Sequence, residues 1–97
     1  GGKDVNVYNK IFEAVEKVPG ASNPHRVRSR MIGNRYIITL DIEVNPQITI
    51  TQAHEIAGAV EKSIESSIDN VYDILVHVEP AGECQTDEKF GVDKDMV

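Results

Sequence analysis

The densest chemistry in the chain is the pair His77 and Glu79, which close the alternating run Val71-Tyr72-Asp73-Ile74-Leu75-Val76-His77-Val78-Glu79 ahead of Pro80. Residues two apart on a strand emerge on the same face about 6.6 Å apart, so an imidazole nitrogen and a carboxylate oxygen there can reach a common ion or two neighbouring ones. Such a donor set holds divalent cations of the zinc and iron type. Asp41 has the matching parity in the run Arg35 to Val44 and shares the face. Taken alone, His-Val-Glu-Pro is also what a solvated strand face looks like, and the two readings stand side by side.

Two further histidines are less committed. His25 opens a strand, and its parity groups it with Val27 and Ser29 toward a core, although Pro24 can turn a strand-end residue outward. His54 sits one position past Ala53, about 100° round a helix from the apolar stripe, and so points to a flank or to a neighbouring subunit. Arg26, Arg28 and Arg30 are suited to phosphate or carboxylate. Their expected neighbours Asp41, Thr39 and Ile37 favour a cross-strand ladder. Cys84, the single cysteine, can form neither an internal disulfide nor a Cys-Cys metal motif, and reads as a free thiol in a reducing compartment. No glycine-rich phosphate loop, no nucleophile with a base at a recognisable spacing and no His-Glu-x-x-His motif occurs, so no enzyme activity is expected.

The elements that must position these groups follow from periodicity. From Asp4 to Val18, Val7, Tyr8, Ile11, Phe12, Val15 and Val18 recur at helical spacing, and Pro19-Gly20 stops the helix. A strand is expected from about His25 to Ile32. Gly33-Asn34 makes a two-residue hairpin turn, and a second strand runs from Arg35 to Val44. If Ile32 pairs with Arg35, Val27 falls opposite Leu40 and Arg26 opposite Asp41. Tyr36, Ile38, Leu40, Ile42 and Val44 form the core face of that strand. Thr49 and Gln52 form a capping box for a helix to about Ile68, whose stripe is Ala53, Ile56, Ala57, Val60, Ile64 and Ile68. The last strand, Val71 to Glu79, is expected to turn Tyr72, Ile74, Val76 and Val78 inward. The order predicts an α+β, α-β-β-α-β two-layer sandwich with two helices on one face of a three-stranded sheet. The open face then carries Asp41, His77 and Glu79.

At 97 residues this is one small domain, for which a partner surface would add stability. The net charge of −6 has the wrong sign for a nucleic-acid binder and favours cations. No apolar run reaches membrane-span length, so the chain as given is expected to be soluble. Residues 1–3 read as a cloning scar or linker, 4–80 as the domain, and 81–97 as an acidic, disordered tail.

The segments Val18-Pro19-Gly20, His25-Arg26-Val27-Arg28-Ser29-Arg30 to Gly33, Asn45-Pro46, Gln52-Ala53-His54-Glu55-Ile56-Ala57 and Val76-His77-Val78-Glu79-Pro80 together resemble the cytoplasmic C-terminal domain of cation diffusion facilitator transporters. The resemblance implies a ferredoxin-like, metallochaperone-like domain that forms a V-shaped homodimer beneath the transmembrane domain of the same inner- or plasma-membrane antiporter. It binds the transported cation at and near the interface, and binding draws the domains together. Carried over by position, the ligands fall on His25, Asp41, His54, His77 and Glu79. Zinc is the expected ion, with iron or manganese as alternatives, because Asp41 replaces a frequent histidine and Glu79 a frequent aspartate. Such a site should weaken below about pH 6.5, where imidazole takes up protons. The alternative is a metal-independent ferredoxin-like dimerisation or small-molecule-binding module, and an acylphosphatase-like hydrolase is disfavoured by the lack of a phosphate cradle.

Overall fold

A computed structural model describes residues 2–82. The first helix, α1 (Gly2–Glu16), is followed by strands β1 (Ser22–Ile32) and β2 (Arg35–Val44), helix α2 (Ile50–Ser67) and strand β3 (Val71–Pro80). The element order is the expected one. Helix α1 starts two residues before Asp4 and ends two before Val18, so Gly2 and Lys3, read as scar or linker, are helical. The acidic stretch from Glu83 onward, with Cys84, lies outside the described residues.

The sheet order is β1-β2-β3, with β1 antiparallel and β3 parallel to β2. The central strand is flanked on both sides, and its alternation shows in its burial. Ile38, Leu40, Ile42 and Val44 are buried, and they pack with Val7, Ile11, Ala14, Val15 and Val18 beneath α1 and Val60, Ile64 and Ile68 from α2. Burying one such side chain contributes roughly 1.5 to 3 kcal/mol, so this apolar layer supplies the main driving force for the fold. Both helices therefore cover one face. The other carries Thr39, Asp41 and Glu43 of β2 beside Leu75, His77 and Glu79 of β3.

Local chemistry sets the ends. Thr49 Oγ1 accepts from the Gln52 N–H at 3.0 Å, and Gln52 Oε1 accepts from the Thr49 N–H at 2.9 Å, which completes the capping box read from the sequence. Thr49→Ala should lower stability by about 1 kcal/mol, measurable as a shift in the urea midpoint at unchanged slope. After α1 the chain turns through Gly20 at φ +92°, a conformation that disfavours side chains, and a Cβ there would lie 2.8 Å from Ile56 Cδ1. The positive φ is what favours glycine here, since the end of the Ile56 side chain can move aside.

Several sequence expectations need correction. Phe12 is 38% exposed, whereas Ala14, not assigned to the core, is fully buried. In β3 an irregularity between the pairs Tyr36–Val71 and Ile37–Asp73 inserts Tyr72 as an extra residue. Tyr72 is consequently 62% exposed and Val71 packs on the core, the reverse of simple alternation.

The hairpin register holds from Ile32–Arg35 to Arg28–Thr39 and then slips. Arg26 and Val27 together oppose Leu40, and His25, not Arg26, pairs with Asp41. A second bulge sets Asn23 and Pro24 against Ile42, leaving Ser22 opposite Glu43. Asn23 at φ 47° and Arg26 at φ 49° adopt left-handed backbone at these points. A bulge of this kind adds one residue to one strand and re-aims the side chains beyond it.

Candidate metal centre

The first bulge decides the site. Counted back from the turn, His25 has core parity, but the extra residue between it and Arg28 turns it to the open face beside Asp41. On the other side of β2, Asp41 pairs with His77 and Glu43 with Glu79. One end of the sheet thus gathers two imidazoles and three carboxylates from three strands.

His25 Nδ1 lies 2.7 Å from the Asn23 carbonyl. A carbonyl only accepts, so Nδ1 carries the hydrogen and Nε2 presents its lone pair in the neutral ring. That Nε2 is 3.0 Å from Glu79 Oε1 and 3.8 Å from Asp41 Oδ2. A lone pair facing carboxylates is held only by a positive charge on the line between them, a proton or a metal cation. A histidine oriented by a backbone carbonyl through its other nitrogen is the usual arrangement behind a metal ligand.

His77 Nδ1 completes the other side, 3.6 Å from Asp41 Oδ1 and 3.7 Å from Glu79 Oε2. Asp41 and Glu43 are both buried, at 8% and 7% exposure, unusual for acids on a strand face not covered by helices. Asp41 Oδ2 is buried without a hydrogen-bond partner, the guanidinium of Arg26 standing 3.6 Å away. A buried carboxylate oxygen without a hydrogen bond is costly, and a cation bound among these groups reduces that cost. Asp41, His77 and Glu79 form one group whose ligand atoms lie within 4.8 Å of one another, and His25, Glu43 and Glu79 form another. Glu79 belongs to both.

Of the positions expected to ligate, His25, Asp41, His77 and Glu79 converge, whereas His54 is exposed on α2 and joins neither group. Glu43 shares the parity of Asp41 on β2 but is absent from that ligand set, and it is the parallel pairing with β3 that sets it opposite Glu79. The arginine ladder is realised only in part. Arg28 and Arg30 face Thr39 and Ile37, and Arg26 reaches Asp41 from within the bulge.

A three-stranded sheet backed by two helices, with imidazoles and acids clustered on its open face, describes a small metal-binding α+β domain. The cation efflux protein cytoplasmic domain pattern matches residues 4–81, and the chain belongs to this family. Over 73 residues it is 36% identical to the magnetosome protein MamM of Magnetospirillum gryphiswaldense, covering 75% of this chain and 23% of that protein. It is 30% identical over 80 residues to the manganese efflux system protein MneS of Bacillus subtilis, covering 80% of this chain and 26% of the relative. The chain thus spans about a quarter of these relatives. Among solved structures, the metal-bound C-terminal domain of the CzcD transporter from Thermotoga maritima superposes with a TM-score of 0.78 at 38% identity, over 82% of this chain and 93% of that one. The cytosolic domain of a cation diffusion facilitator family protein gives 0.79 at 36% identity, over 84% and 98%. The fold is the ferredoxin-like one of these cytoplasmic domains, as the motifs led us to expect. Among the described residues no helix is long and apolar enough to cross a membrane.

Proposed function

We propose that residues 4–80 are the metal-sensing and dimerisation unit of a divalent cation efflux transporter, with residues 81–97 an acidic appendage to it. The observation that carries this reading is the placement of His25 Nε2 3.0 Å from Glu79 Oε1, beside a buried Asp41 oxygen that makes no hydrogen bond. Metal-free, the carboxylates gathered here repel one another. A divalent cation replaces that repulsion with shared coordination, and it favours whichever dimer arrangement it binds more tightly. Leu75, 64% exposed on the same face, provides apolar surface for a second copy. In a dimer His54 is available to a partner's site. The solved CzcD domain is metal-bound and the relative MneS is a manganese efflux protein, which supports a divalent cation as the ligand here.

Small-angle scattering of the chelator-stripped protein, with and without metal, tests this reading. A dimer that becomes more compact with metal is the expected result. A dimer indifferent to both metal and chelator would instead mark a metal-independent interaction module. Because bound imidazoles must be unprotonated, metal affinity should fall as pH is lowered through the range where free imidazole takes up protons. Titrations at pH 7.5 and pH 5.5 check this, and equal affinities would exclude histidine ligation.

A further inference from the structure

Glu43 lies outside the ligand set that the sequence suggests, yet the structure brings it into the centre. It is 7% exposed, it pairs across β2 and β3 with Glu79, and one of its oxygens lies within 4.8 Å of ligand atoms of both His25 and Glu79. Asn23 Nδ2 donates to Glu43 Oε2 at 2.9 Å, and the Asn23 carbonyl accepts from His25 Nδ1 at 2.7 Å. One bulged residue, Asn23 at φ 47°, therefore orients two candidate ligands through its side chain and its backbone. Outer contacts that fix donor orientation are characteristic of metal sites. Asp41 Oδ2, in a residue 8% exposed, makes no hydrogen bond, has the Arg26 guanidinium only at 3.6 Å and faces the same His25 nitrogen at 3.8 Å, a second observation that favours a cation there.

We infer that Glu43 is a metal ligand that sets selectivity, making the centre an oxygen-rich site suited to a hard divalent cation of the manganese or ferrous class. The inference rests on the metal-binding reading above and deepens it. With Glu43 included, three carboxylates face two imidazoles, and each of the two donor groups holds two carboxylates and one imidazole. Carboxylate and water ligation at six-coordinate positions suits manganese, whereas four-coordinate zinc sites are usually filled by imidazole and thiolate. Any nitrogen and oxygen site binds zinc more tightly than manganese in absolute terms, so the effect of Glu43 is read in the ratio of the two affinities.

The test is Glu43→Gln, which keeps an oxygen to accept from Asn23 while removing the charge. Calorimetric titration with manganese and with zinc should show manganese affinity falling about tenfold or more and zinc affinity changing less than about threefold. Cobalt bound to the wild-type protein should give the weak visible bands of six-coordination, a readout that holds even if the variant folds poorly. Intense tetrahedral cobalt bands, or a variant losing both metals equally or neither, would overturn the assignment of Glu43 while leaving metal binding intact. Wild-type protein that binds no metal at all would overturn the metal-binding reading and this inference with it.

Discussion

Glu79→Ala should lower metal affinity by more than the roughly 100-fold upper range seen when an outer-sphere partner is lost. Glu79 is the one residue common to both donor groups, and its two oxygens face His25 at 3.0 Å and His77 at 3.7 Å. Its removal leaves His25 with Asp41 at 3.8 Å and separates the remaining donors into incomplete sets. Titration calorimetry reads this expectation. Affinity within threefold of wild type would remove Glu79 from the site.

The second large effect is structural. Leu40 is 1% exposed at the centre of the middle strand, with its neighbour Asp41 projecting to the opposite face. Leu40→Ala should cost about 3 kcal/mol, since a buried leucine truncation loses both transfer free energy and packing around the cavity. For a domain of this size that corresponds to a melting temperature lower by roughly 12 to 24 °C. A differential scanning calorimetry trace displaced by less than about 4 °C would show that the strand relaxes into the cavity. Metal should restore part of the loss, because a ligand that binds only the folded state adds stability by mass action.

Much of this architecture was legible because each signal is local. The hairpin turn at Gly33-Asn34, the capping box at Thr49 and the apolar alternation of β2 each depend on a few neighbouring residues, and each appears where the sequence puts it. The open face followed from counting helices against strands, and with it the grouping of Asp41, His77 and Glu79. What failed was long-range parity. Strand alternation carries no mark of an inserted residue, so the bulges at Arg26 and Asn23 and the irregularity at Tyr72 reversed the facing of His25, Val71 and Tyr72. The family resemblance placed His25 in the site where parity placed it in the core, and the bulge reconciles the two. The burial of Asp41 and Glu43 was likewise invisible, because a strand without covering helices reads as wet. Here it is shielded by side chains brought over it from β1 and β3.

On the proposed reading, the open sheet face binds a divalent cation through His25, Asp41, Glu43, His77 and Glu79. Isothermal titration of the chelator-stripped chain with manganese and then zinc tests this most directly. Saturable binding of both ions is expected, lost in the double variant His77→Ala, Glu79→Ala. Absence of binding, or affinity unchanged in that variant, would contradict it and leave these histidines and acids with a purely structural role.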